Sequence, residues 1–145
     1  MSTEDDAKIV VHSQYIKDLS FEGPSNLASL KTHKSQPQVK IGFDVKVENF
    51  ESASDVSLLF HLEADIEGEN VFVLELNYVG NFSLNGVRKD LQEEILFTGC
   101  PALLFPFARQ IIAHTISNAG FPPVMLEYIN FVAFYRNKIS LSAQN

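Results

Sequence analysis

"GCPALLFPFARQIIAHTISNAGFPP", Gly99 to Pro123, is the stretch that decides how this chain folds. Its spacing predicts a helix from Pro101 to Ala119. Leu103, Leu104, Phe107, Ala108, Ile111, Ile112, Thr115, Ile116 and Ala119 wrap well beyond the roughly 100° stripe of a helix laid on one surface. Pro101 suits the first helical position, where no amide hydrogen is needed. Pro106 lies farther in and is expected to kink or restart the helix. Gly120 is a good C-terminal cap, and Pro122 and Pro123 forbid continuation. A helix with so little to show to water needs cover on both sides.

The segments before it supply one cover. Val11, Tyr15, Leu19 and Phe21 fall on one side of a first strand, with His12, Gln14, Asp18, Ser20 and Glu22 on the other. Val39, Ile41, Phe43, Val45 and Val47 alternate with Lys40, Gly42, Asp44, Lys46 and Glu48. Val56, Leu58, Phe60, Leu62, Ala64 and Ile66 alternate with a face holding His61, Glu63, Asp65 and Glu67. After the turn "EGEN" (67–70), Phe72, Leu74, Leu76, Tyr78, Phe82 and Leu84 oppose Glu75, Asn77, Asn81 and Ser83. Period-two alternation of this kind marks an antiparallel sheet with one dry face and one wet face. A long polar connection, Gly23 to Pro37, joins the first two strands and reads equally as a functional loop or a plain crossover.

Beyond Gly86 the period becomes helical. "VRKDLQEEILF" predicts a short amphipathic helix broken at Gly99, and a last helix starts at the cap residue Asn130. Strands followed by helices give an α+β domain: a four-stranded antiparallel sheet with C-terminal helices packed on one face. The sheet covers only one side of the Pro101–Ala119 helix. The other side is expected to meet a further copy of the chain.

Composition bounds the rest. The chain has 145 residues, expected to form a single domain, 1–145, with a flexible acidic N-terminus (1–8) and a short tail (141–145). A net charge of −7 argues against nucleic-acid or anionic-membrane surfaces. The polar start "MSTEDDAK", the single Cys100 and the absence of 18 uninterrupted apolar residues predict a soluble cytoplasmic protein with no direct membrane insertion.

Chemistry is sparse. His12, His33, His61 and His114 have no metal-ligand spacing, and no HExxH, CxxC, P-loop or GxGxxG sequence appears. Cys100 and His114 would be separated by about 21 Å of continuous helix, too far to act together. An enzyme is not expected. Twelve phenylalanines, several in the second strand and last helix, read as core or as an apolar groove. Asp18, Glu22 and Glu75 read as a solvated face or as a dock. On the residues alone both alternatives stay open.

"YIKDLSFEGP" (Tyr15–Pro24), "PQVKIGFDV" (Pro37–Val45), "FSLNGV" (Phe82–Val87), "GCPALLFPFAR" (Gly99–Arg109), "GFPP" and "INF" (Ile129–Phe131) together resemble the SecB family of bacterial protein-export chaperones, from about residue 9 to residue 140. The resemblance implies a cytosolic homotetramer, a dimer of dimers. Such a protein holds unfolded precursors and passes them to the motor ATPase SecA, with no ATP and no cofactor of its own. It implies a client groove at Val39, Ile41, Phe43, Phe131, Phe134, Tyr135 and Ile139. The implied SecA-binding surface is Asp18, Ser20, Glu22 and Glu75. Tetramer contacts are implied for Leu74, Leu76 and Tyr78, with the helix residues Leu104, Ile111 and Ile112. The sequence departs from the family pattern at Val132, at the basic Arg136 and Lys138, and in its short tail without acidic residues. The competing reading is an oligomeric module for hydrophobic ligands, which would need a closed cavity in place of open grooves.

Overall fold

The computed structural model describes residues 7–24 and 36–144. The alternating segments form β1 (Lys8–Glu22), β2 (Gln38–Asn49), β3 (Ser54–Ile66) and β4 (Glu69–Asn85). They lie in the order β1-β4-β3-β2, antiparallel throughout. β1 and β2 are thus opposite edges, joined by the expected long crossover. Residues 25–35 of that crossover lie outside the described residues, as do 1–6 of the expected N-terminal arm.

The β3–β4 turn follows from its residues. Glu67 (φ 51°) and Gly68 (φ 81°) both take the left-handed conformation required by the tight turn whose twist matches its strands. The ladder then slips once: Asp65 pairs with Asn70, but Ala64 pairs with Phe72. The Asn70 amide fastens this bulge, donating to the carbonyls of Ala64 and Phe72 and to Asp65, each at 3.3 Å.

Even-numbered residues of β3 and β4 face the helices. Val56, Leu58, Leu62, Ala64 and Leu74 are wholly buried, whereas the odd-numbered His61 and Glu75 are exposed. β1 departs from simple alternation. Its register shifts between Val11 and Ser13 and again between Ile16 and Asp18. Residues directly opposite share a face, so Gln14, paired with Gly80, faces the helices, and Tyr15, paired with Val79, faces away. The expected placement of these two residues is therefore reversed. A second shift undoes the first, and Asp18, Ser20 and Glu22 return to the open face.

Helix α1 (Lys89–Phe97) stops at Thr98, whose φ of −123° and ψ of −69° leave the helical region. The Thr98 hydroxyl donates to the Glu94 carbonyl at 2.7 Å. Helix α2 (Gly99–Asn118) continues through Pro106, so of the expected kink or restart there is no restart. That proline is exposed, on the side where loss of one backbone bond is best tolerated. At the C-terminus Gly120 takes φ 94°, its amide bonds Ser117 and the Phe121 amide bonds Ile116, the paired arrangement of a glycine-capped helix. Helix α3 (Phe131–Gln144) is capped as expected by the Asn130 carboxamide on the Ala133 amide at 3.0 Å, and it takes in most of the expected tail.

α2 lies close on the sheet because Gly80 has no side chain. A Cβ there would come within 2.6–2.8 Å of Phe82 and Leu104. The helical run 89–118, interrupted at Thr98, has the length and composition to cross a membrane, and 44% of its apolar window is buried inside the protomer.

Candidate functional site

The open face of the sheet gathers the expected acidic set. The register puts Ser20 opposite Glu75, Asp18 opposite Asn77 and Glu22 opposite Val73. All four expected residues are exposed and share one corner of the face. His61 of β3, opposite Glu75 on the other side, joins them. Its Nδ1 lies 3.1 Å from Glu75 and its Nε2 2.9 Å from Glu63. Gly42, opposite His61 on β2, adds no side chain. A depression of about 390 Å³ results, with Asp18, Asp44, Leu59, His61, Glu75 and Asn77 around it. Sequence reading put His61 on the wet face but missed its tie to Glu75. Counting back from the turn pairs His61 with Leu74, and only the bulge at Asn70 corrects the count.

The helix-covered face holds the expected apolar set in two groups. Phe43 packs on Phe134 with ring centroids 4.7 Å apart, and on Phe131 at 6.2 Å. Phe60 and Phe105 extend the cluster inward. Tyr135 instead stacks on Phe97 of α1 at 5.4 Å. Val39 and Ile41 lie farther along β2, and Ile41 is 46% exposed; Ile139, on α3, is 48% exposed. Lys138 ties α3 to the β2 edge, donating to Asp44 at 3.2 Å and to the Val45 carbonyl at 3.3 Å. The same ammonium lies over the rings of Phe97 and Phe134. This basic residue, a departure in sequence, thus sits beside the aromatic cluster. The long connection from Gly23 to Pro37, expected as a functional loop or a plain crossover, falls mostly outside the described residues.

The expected assembly residues lie deeper than a surface. Leu74, Leu76, Tyr78, Leu104 and Ile112 are buried within the protomer, and Ile111 is half-buried. The outward ridge of α2 carries Leu103 and Phe107, each 45% exposed. Phe107 stacks on Tyr78 at 6.4 Å, which links the ridge to the buried row. Any part the buried residues play in assembly would pass through the seating of α2.

Covalent chemistry has little to work with. Cys100 is buried, and desolvation pushes its thiol up to about 12, far from the reactive thiolate. Among the described residues no group of His, Cys, Asp and Glu side chains is arranged to hold a metal ion.

Comparison with known proteins agrees with this architecture. Residues 2–142 match the family model described as SecB, preprotein translocase subunit SecB. A protein-export protein SecB of Granulibacter bethesdensis is 43% identical over 137 residues, covering 88% of this chain and 80% of that protein. One of Rickettsia massiliae is 40% identical over 134 residues, covering 91% and 88%. Among solved structures, a SecB-like chaperone of Mycobacterium tuberculosis in complex with an antitoxin peptide superposes with a TM-score of 0.65. It shares 14% identity over 83% of this chain and 90% of its own, a likeness of fold. By its sequence relatives and its sheet-and-helix architecture, this chain belongs to the SecB family of protein-export chaperones, which are not enzymes.

Proposed function

We propose that the chain works as an ATP-independent holdase. It keeps precursors unfolded on the helix-covered side and presents them to the SecA motor through the open sheet face. The observation that carries this reading is the separation of the two surfaces. The half-buried Phe43 and Phe134, backed by the buried Phe131, offer apolar area on one side with the exposed Ile41 and Ile139. Asp18, Ser20, Glu22 and Glu75 offer carboxylates and a hydroxyl on the other. Apolar contact binds unfolded segments without reading their order, at roughly 25 cal/mol per Å² buried. A charged face on the opposite side lets a basic motor element dock while the client stays in place.

A homotetramer, built as a dimer of dimers, suits the exposed surfaces. The α2 ridge at Leu103 and Phe107 leaves apolar area uncovered, and the β1 edge leaves a row of backbone groups unpaired within one protomer. Several grooves on one particle would retain a long chain by effective concentration. The proposed setting is the cytoplasm, and the reading needs no cofactor.

The test is aggregation of a chemically denatured precursor diluted into buffer without nucleotide. Suppression of light scattering near equimolar tetramer is expected, with no gain on adding ATP. Unchanged aggregation, or protection that requires ATP, would contradict the reading.

A further inference from the structure

His61 lies among the carboxylates of the open face, with a ring nitrogen against each of two. Nδ1 is 3.1 Å from Oε1 of Glu75, and Nε2 is 2.9 Å from Oε1 of Glu63. A neutral imidazole has one N–H and one lone pair, so it satisfies only one of these oxygens. Both are satisfied when the ring is protonated on both nitrogens. The hydrogen bond to Glu63 and then that to Glu75 raise the ring above its ordinary value of 6.5, against a lowering by desolvation. The charges of Glu63 and Glu75 favour the same state. On β1 the carboxylates of Asp18 and Glu22 share this face with the cation Lys17, which lies by Leu59 and Asn77, and Asp65 shares β3. On β2, Lys40 pairs opposite Glu63, and Asp44 is engaged by Lys138.

We propose that His61 is a proton-controlled positioning residue of the docking face, holding Glu75 when charged and releasing it to a basic partner when neutral. The proposal rests on the reading of this face as the motor dock. Protonation changes the sum over Glu63, His61 and Glu75 from −2 to −1. A basic side chain arriving at Glu75 competes with the imidazolium for the same oxygen, so docking expels a proton. By linkage, affinity for the partner rises as pH passes upward through the ring's titration. Removing one unit charge about 4 Å from a solvated contact corresponds to about a five-fold change in affinity.

Two measurements on the full-length protein test this. The first follows the His61 ring by NMR against pH. It should titrate above its ordinary value, and Glu63→Gln should lower it. The second is the affinity of purified SecA at about pH 6 and about pH 8.5, on either side of the ordinary histidine range. Wild type should bind about five-fold more tightly at the higher pH. His61→Gln should bind tightly at both values, and His61→Lys weakly at both. Variants that keep the wild-type pH dependence, or a ring titrating at or below 6.5 in the free protein, would overturn the role of His61. Absence of SecA binding to the wild type at both pH values would overturn the docking reading itself, and with it the role built on that reading, whatever the NMR shows.

Discussion

The two faces of the sheet are made by alternate residues of the same strands, yet they tolerate change very differently. On the covered face, Leu58, Leu62 and Leu74 are wholly buried beneath α2, and Gly80 leaves no room even for a methyl group. On the open face, His61, Glu63 and Glu75 keep about half of their side-chain surface in water while bonding to one another. Close packing makes each covered position a constraint on the fold. Solvent screening makes each open position nearly free to serve a partner. Close packing and solvent exposure are thus divided between alternate positions of the same strands.

The largest effect comes from breaking that division. Leu76→Glu carries a carboxylate onto the covered face, where Leu76 is 2% exposed within the buried apolar cluster. An unpaired charge there should cost roughly 3–5 kcal/mol. Urea denaturation should show the loss, with dimers or insoluble protein in place of tetramers by light scattering. A variant as stable as wild type, and of the same mass, would show that this face is not a packed core.

The margin of the covered face should respond less. Phe43 and Phe134 are half-buried and pack on each other, so Phe43→Ser with Phe134→Ser should cost about 2–4 kcal/mol and leave a folded oligomer. Loss of roughly 60 Å² of apolar contact with a client at about 25 cal/mol per Å² predicts about ten-fold weaker retention of an unfolded precursor. Unchanged client affinity in a properly assembled variant would place the groove elsewhere.

The smallest effect on stability belongs to the open face. His61 has a raised pKa in the folded chain, so its contribution is fully present below about 6.5 and is lost as pH rises through the folded value. His61→Gln should therefore lower the melting temperature slightly in acid and leave it unchanged in mild alkali. The same loss at both ends of the range would mean that the ring contributes by packing and not by charge.

Much of this division was legible from alternation, and the exceptions have identifiable causes. The parity of β2, β3 and most of β4 follows their apolar residues, because their inward face is largely buried, throughout in β3, which holds the register. β1 is an edge with exposed Val11, Tyr15, Ile16 and Leu19, so its pattern is weak and two shifts in register pass unnoticed. Asp18, Ser20 and Glu22 were placed on the right face because those shifts cancel. The caps at Asn130 and Gly120 were readable since each relies on a single local residue type. The role of Pro106 was not, because α2 is held on the sheet by contacts distant in sequence. Likewise, Tyr135 shared a helical stripe with Phe131 but went to Phe97, a partner that periodicity could not supply.

The central claim is that recognition of the motor belongs to the open face and is separable from folding and client binding. Its most direct test is the affinity of SecA for wild type and for the combined Asp18→Lys, Glu22→Lys and Glu75→Lys variant, at low ionic strength with a client already bound. These side chains are exposed, so the variant should retain its melting temperature, oligomeric mass and client affinity nearly unchanged. SecA affinity should fall at least about ten-fold, because attraction becomes repulsion across the interface, and the wild-type affinity should decline with added salt. Equal SecA affinities for the two proteins would contradict the account.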